Sequence, residues 1–205
     1  MQSQLDIWKG DFGQAYTDRN HLDWRVRVLA FRQMLGEIKP RRVLEVGCNR
    51  GHNLVALREV LGREAELVGV EPNPYALELA QGTGAATVVP GDIYCLPFED
   101  GAFDLVFTAG VLIHVPLATL AAALGELHRC SRKFLLAIEY AAAEETPLSY
   151  RGHDHLLWKR NFLKHYRDQF PCLRVVGQGH WGEEHGFDHT NWWLLDKTGE
   201  RDASA

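Results

Sequence analysis

The sequence has little that would hold it together covalently or draw it to a polyanion. Its four cysteines, Cys48, Cys95, Cys130 and Cys172, stand singly with no C-x-x-C pair. That spacing excludes a zinc knuckle and a disulfide frame and fits reduced thiols. Basic residues do not dominate: 22 Lys and Arg against 27 Asp and Glu give a formal charge of -5, so a nucleic-acid partner is not expected. No run approaches about eighteen consecutive apolar residues, and Met1-Gln2-Ser3-Gln4-Leu5-Asp6 lacks a basic n-region followed by an apolar h-region. No membrane partner is expected, and the chain reads as cytoplasmic. Internal repeats, low-complexity tracts and linkers are also missing. At 205 residues, with 46% hydrophobic and 24% charged, the chain reads as one domain over 1–205, with a lid segment at 1–20 and a frayed tail at 198–205.

What is present is an alternation of short apolar runs with stretches of helical periodicity. Seven strands are expected at Arg42 to Val46, Glu66 to Glu71, Ala86 to Pro90, Phe103 to Thr108, Lys133 to Glu139, Leu173 to Val176 and Trp192 to Leu195. Helices are expected at His21 to Ile38, His52 to Leu61, Pro74 to Gln81, Leu117 to Arg129 and His155 to Gln169. The order predicts an α/β fold: a Rossmann-like, seven-stranded, mostly parallel sheet with helices on both faces. The last two strands lack a helix between them, which predicts an antiparallel final strand. Before His21, Trp8, Phe12 and Tyr16 recur every fourth residue, the spacing of a short helix that could lie over a cleft.

After the first strand the chain runs Glu45-Val46-Gly47-Cys48-Asn49-Arg50-Gly51-His52-Asn53 and turns helical. Glycine there permits a tight turn and close approach of backbone to a ligand. A dinucleotide fingerprint starting at Gly47 would need glycine at 49 and glycine or alanine at 52, where Asn49 and His52 stand, so a pyrophosphate ligand is not expected. Glu71 ends the second strand twenty residues beyond Gly51, where a carboxylate can accept from both hydroxyls of a ribose. A surface acid is the plainer alternative.

The stretch from Val43 to Gly51 resembles motif I of the class I S-adenosylmethionine-dependent methyltransferases, an acid followed by alternate glycines. Asn49 replaces the middle glycine; asparagine tolerates left-handed backbone better than most residues. The resemblance implies S-adenosylmethionine as cofactor, with Glu45, Gly47, Asn49, Gly51 and Asn53 in the loop, Glu71 and Pro72 after the second strand, Asp92 and Ile93 at the adenine, and Thr108 closing the fourth strand. Over Trp8 to about Lys197 the chain also resembles the methylases associated with pseudaminic acid biosynthesis. The stretches that carry this are Trp8 to Gly13, Tyr16 to Asn20, Gly110 to Val115, Glu139-Tyr140, Tyr150 to His153 and Trp158 to Phe162. It implies a small-molecule acceptor.

Methyl transfer from a sulfonium needs alignment above all, and an oxygen or ammonium acceptor must also lose a proton. His114 and Glu139, after strands four and five, and His153 are the catalytic candidates. A capping histidine and an acid paired with Arg151 are the structural alternatives. Tyr140, Arg151 and Trp181 are expected at the acceptor, and Tyr16 and Arg19 at the cofactor's carboxylate if the N-terminal segment folds over it, packing being the alternative. His155, His180, His185 and His189 lie near Glu183, Glu184 and Asp188, but only His185 and His189 are four apart, in an expected loop, so no metal is expected. No Asp/Asn-Pro-Pro-Tyr motif of the amino-methylating DNA enzymes follows strand four. The rival readings are a protein or peptide methyltransferase and a non-catalytic nucleotide-binding module of the same fold.

Overall fold

The structure, a computed structural model, describes residues 4–200 apart from the side chains of His153, His155 and Glu200. Its first helices are α1 (Gln4–Lys9), α2 (Asp11–Arg19) and α3 (Val26–Leu35). Strands β1 (Arg42–Val46), β2 (Glu66–Glu71) and β3 (Thr87–Pro90) alternate with α4 (His52–Leu61) and α5 (Pro74–Gly82). Then come β4 (Phe103–Ala109), α6 (Leu117–Cys130) and β5 (Ser131–Glu139). The C-terminal part holds β6 (Thr146–Tyr150), β7 (His153–Lys159), α7 (Phe162–Gln169), β8 (Arg174–Trp181) and β9 (Thr190–Asp196).

Seven strands form one sheet in the order β3-β2-β1-β4-β5-β9-β8. The first five pair in parallel, and β9 runs antiparallel to both β5 and β8. This is the expected Rossmann-like architecture, final antiparallel strand included. Strand residues alternate between two cores. Leu44, Val46, Val68 and Val70 pack with Leu120, Leu124 and Leu127 of α6 and with Phe162 and Tyr166 of α7. Val43, Leu67, Leu105 and Phe107 pack with Phe31 and Met34 of α3 and with Leu54 and Leu57 of α4. Burial on both faces explains why these strands read as unbroken apolar runs. Among the described residues no helix is long and apolar enough to cross a membrane.

Three expected elements differ. The opening helix does not begin at His21: the Asp23 carboxylate accepts from the Arg25 amide at 3.1 Å, a local turn that competes with helix, and regular helix starts at Val26. The helix expected from His155 is instead a hairpin followed by a shorter helix. Strands β6 and β7 form a two-stranded sheet joined by Arg151 and Gly152, whose φ values of 50° and 79° give the paired left-handed turn that tight hairpins favour. Leu156, Leu157 and Trp158 are consecutive buried residues, which suits a strand, and α7 begins only after Asn161 caps it by accepting from the Lys164 amide at 2.9 Å. Finally, β8 extends to Trp181 through a glycine-rich stretch expected as loop. Its Gly179 lies under Trp192, where a Cβ would come 2.7 Å from the indole nitrogen.

Candidate active site

Chain order reverses between β1 and β4, and in open α/β sheets ligands gather outside the carboxyl ends of the strands at such a point. A cleft of about 530 Å³ opens there. The β1–α4 loop forms its floor, with Gly47, Asn49 and Gly51 all at positive φ (76°, 46° and 81°). Gly47 is required twice over, because a Cβ would also come within 2.6 Å of Val111 in the loop after β4. Asn49 adopts the left-handed backbone that its type tolerates. Gly51 does not reach the cleft and packs against Ala80 of α5.

Four acids line the cleft, three of them at the strand ends and the fourth, Asp188, on the far side. Glu71 ends β2, buried, and accepts from the Asn49 amide (2.7 Å) and the Asn73 amide (2.9 Å); burial still pushes its carboxyl up to about 7. Glu45 accepts from Asn53 Nδ2 at 2.6 Å through one oxygen, while its other oxygen is shielded from solvent with no partner. Burial raises it to about 8, against the opposing pull of Asn53 and Arg27. Asp92, after β3, accepts from the Tyr94 amide at 3.0 Å and lies 3.8 Å from Lys9 Nζ, with Ile93 and Pro72 beside it in the wall.

Helices α1 and α2 cover the cleft and supply Trp8 and Tyr16. Trp8 packs 5.2 Å from Phe12, 5.3 Å from Tyr16 and 4.5 Å from the His114 ring, and its indole nitrogen is buried without a partner. Burial raises the Tyr16 hydroxyl to about 12. On the opposite side His114 follows β4, its ring 5.6 Å from Tyr150 and its Nδ1 2.6 Å from the Leu156 carbonyl. A carbonyl only accepts, so the contact assigns the proton to Nδ1 and leaves Nε2 as the acceptor. Burial lowers this imidazole to about 4, which keeps it neutral. Tyr140 lines the same side and donates to Asp188 Oδ2 at 2.5 Å, while Arg151 reaches the rim from the exposed hairpin turn.

Besides Gly51, four expected site residues are placed elsewhere. Glu139 is fully buried beneath the loop after β4 and accepts from Thr108 Oγ1 (2.8 Å), the Val111 amide (3.2 Å) and the Ile113 amide (3.3 Å). It does not line the cleft, and its partners are that loop rather than Arg151. Thr108 is turned to Glu139 in the same way. Trp181 packs in the core, 6.3 Å from Trp192 and against His185, because β8 continues through it. Arg19 ends α2 exposed and outside the cleft. The His153 side chain lies outside the described residues. Among the described residues no three His, Cys, Asp or Glu side chains gather as metal ligands.

The cleft also contains residues that carried no motif. Arg27, on α3, donates to Asn53 Oδ1 (2.6 Å) and twice to the Gly186 carbonyl (2.9 and 2.7 Å), tying α3 to the Gly186 to Asp188 segment. Nothing in the sequence sets it apart from Arg25 and Arg32 in the same segment. Trp8 and Tyr150 lie in stretches that carry the longer resemblance, but nothing in their spacing assigns them a ligand.

Residues 43–133 match a family described as a methyltransferase domain. The demethylmenaquinone methyltransferase of Geobacillus kaustophilus is 28% identical over 65% of this chain and 57% of its own length. An uncharacterized methyltransferase of Schizosaccharomyces pombe is 34% identical over 58% of this chain and 46% of its own length. The chain thus spans about half the length of the curated relatives it matches. Among solved structures, the Burkholderia thailandensis 1,6-didemethyltoxoflavin-N1-methyltransferase, with bound 1,6-didemethyltoxoflavin and S-adenosylhomocysteine, superposes with a TM-score of 0.71 at 17% identity. It covers 97% of this chain and 92% of that one. The fold is the Rossmann-like fold of the S-adenosylmethionine-dependent methyltransferases.

Proposed function

From the match of residues 43–133 to a methyltransferase domain and the likeness of the fold to solved methyltransferases, we propose an enzyme that transfers the methyl group of S-adenosylmethionine to an oxygen or nitrogen of a small polar metabolite. The observation that carries the reading is the buried Glu45 oxygen without a partner, beside a glycine loop at the switch point of the sheet. A carboxyl left so is costly alone and suits an incoming ammonium group such as that of the cofactor's amino-acid end. Glu71 keeps further lone pairs for ribose hydroxyls, and Asp92 with Ile93 suits an adenine edge and face. The donor set therefore fits the cofactor, which supplies an activated methyl group on a sulfonium.

The chain's own share of the work is alignment. Trp8, Tyr16 and Tyr150 wall the acceptor side, and held geometry of this kind can contribute on the order of 7 to 11 kcal/mol in model systems. His114, neutral and fixed in one tautomer, serves as a hydrogen-bond acceptor that orients an O–H or N–H. With its pKa near 4 it is a weak base, so proton loss falls to the acceptor's own acidity. Tyr140 and Arg151 complete the acceptor side, and His153 belongs to the same proposal. The likeness to methylases associated with pseudaminic acid biosynthesis supports a sugar or amino-acid derivative as acceptor.

Turnover is the test. Incubation with S-adenosylmethionine and an acceptor panel is expected to yield S-adenosylhomocysteine, and calorimetry is expected to show S-adenosylmethionine binding more tightly than NAD. No binding of S-adenosylmethionine or S-adenosylhomocysteine at millimolar concentration, or tighter binding of NAD, would refute the proposal.

A further inference from the structure

The carboxylate of Glu71 is held by two asparagines, and both have a second task. The Asn49 amide donates to Glu71 Oε2 at 2.7 Å, while Asn49 Nδ2 donates to Thr17 Oγ1 of α2 at 3.0 Å. The Asn73 amide donates to Glu71 Oε1 at 2.9 Å, while Asn73 Nδ2 donates to the Trp8 carbonyl (2.9 Å) and the Gly10 carbonyl (3.2 Å). Each oxygen of one acid is therefore linked, through a single residue, to the helical cap formed by α1 and α2. Thr17 is fully buried in this contact. The corner of the cap is equally tight, since a Cβ on Gly13 would come 1.9 Å from the Trp8 carbonyl. The cap is what carries Trp8 and Tyr16 into the cleft.

Position 49 is where the glycine loop departs from its usual pattern. Its φ of 46° is one that glycine would meet without strain, so the backbone alone gives no reason for a side chain there. The side chain has two bonds to explain it: Oδ1 accepts from the Arg50 amide at 2.8 Å and Nδ2 clamps Thr17. We propose that Asn49, seconded by Asn73, is a positioning residue that couples cofactor occupancy at Glu71 to closure of the N-terminal cap, and so to placement of Trp8 and Tyr16 against the acceptor. This rests on the reading of Glu71 as the ribose carboxylate. Coupling of this kind is reciprocal: whatever ordering the cofactor imposes on the cap, a closed cap returns as cofactor affinity.

The experiment is amide hydrogen exchange of residues 4–19 in the full chain, without ligand and with saturating S-adenosylhomocysteine. Thr17→Val removes the acceptor on the cap together with the hydroxyl's own donation to the Gly13 carbonyl (2.9 Å), so Asn49→Gly, which removes the donor while keeping the left-handed backbone, is the cleaner variant. Asn49→Gly is expected to speed ligand-free exchange of the cap about tenfold, the scale of one net hydrogen bond, and Thr17→Val at least as much, while the double variant is expected to be no faster than the faster single. S-adenosylhomocysteine is expected to slow cap exchange in the wild type and to slow it less in either variant. By reciprocity, the affinity of Thr17→Val for S-adenosylhomocysteine should fall by the same factor, although Thr17 is not in the cofactor machinery. Asn49→Asp, which keeps backbone tolerance and loses the donor, should behave as Asn49→Gly and guards against a folding defect in one variant. Unchanged cap exchange, additive effects in the double variant, or equal slowing by ligand in variant and wild type would each overturn the proposal. If the wild type fails to bind S-adenosylhomocysteine, the reading of Glu71 falls and the proposed coupling with it; the ligand-free comparison then decides whether Asn49 holds the cap at all.

Discussion

Glu71 ends β2 and Glu139 ends β5; both are buried, and burial pushes both carboxyls from an ordinary 4.5 up to about 7. Their partners separate them. Glu71 opens onto the cleft, whereas Glu139 is consumed by the hydroxyl and amides that shape the loop before His114. Glu71→Ala is expected to weaken S-adenosylhomocysteine binding by roughly 1.5 to 3 kcal/mol, the scale of charged hydrogen bonds, as calorimetry would read. Glu139→Gln is expected to leave that affinity nearly unchanged and to cost about 1 to 3 kcal/mol in urea unfolding, because an amide nitrogen would face a backbone N–H. The pH dependence has a definite sign. A carboxyl whose folded pKa is raised binds its proton more tightly in the folded chain, so its contribution is present below pH 4.5 and is lost as pH rises through about 7. The wild type minus Glu139→Gln difference in stability should therefore decline across that window. From the sequence, both acids were legible as strand-terminal carboxylates; which of them faced a ligand depended on a loop packing back on β5, a contact no local pattern encodes.

At the level of elements, β1, β2, α4 and the boundary of β5 at Glu139 were readable because apolar runs of strand length sat between clear helix and turn signals. The hairpin of β6 and β7 was not. Three consecutive apolar residues from Leu156 fit helix or strand alike, and the decisive signals were small ones: the Arg151-Gly152 turn and the cap at Asn161. The extension of β8 was hidden for a different reason. Gly177 and Gly179 suggest loop by composition, yet each makes room for the Trp192 ring across the sheet, a Cβ at Gly177 coming 3.1 Å from it. Gly179→Ala is accordingly expected to destabilise the chain by about 1 to 3 kcal/mol through overpacking, measured as a lower urea midpoint with an unchanged m-value. An unaltered midpoint would mean that Trp192 can move aside.

For the molecule as a whole, the topology that places the cleft followed from element order, and the acids around it followed from strand ends. The cap was legible as a lid from the spacing of Trp8, Phe12 and Tyr16, but its seating was not, because that depends on contacts such as Asn49 to Thr17 and Tyr75 to Asp18 (2.8 Å) between segments far apart in the chain. The formal charge of -5 counts every carboxyl as ionised. Glu45, raised by burial to about 8 even against the pull of Arg27 and with one oxygen lacking a hydrogen-bond partner, instead carries a proton at neutral pH in the empty cleft. If an ammonium group is what fills that gap, cofactor capture is an exchange of one cation for another, the proton leaving as the ligand enters. Binding heats near pH 7 should then differ between phosphate and Tris in proportion to the buffers' ionisation enthalpies, and affinity should fall as acidity makes the proton harder to displace. Glu45 would thus add nearly no net charge to the cleft whether it is empty or filled, and that buried carboxylate never has to wait uncompensated.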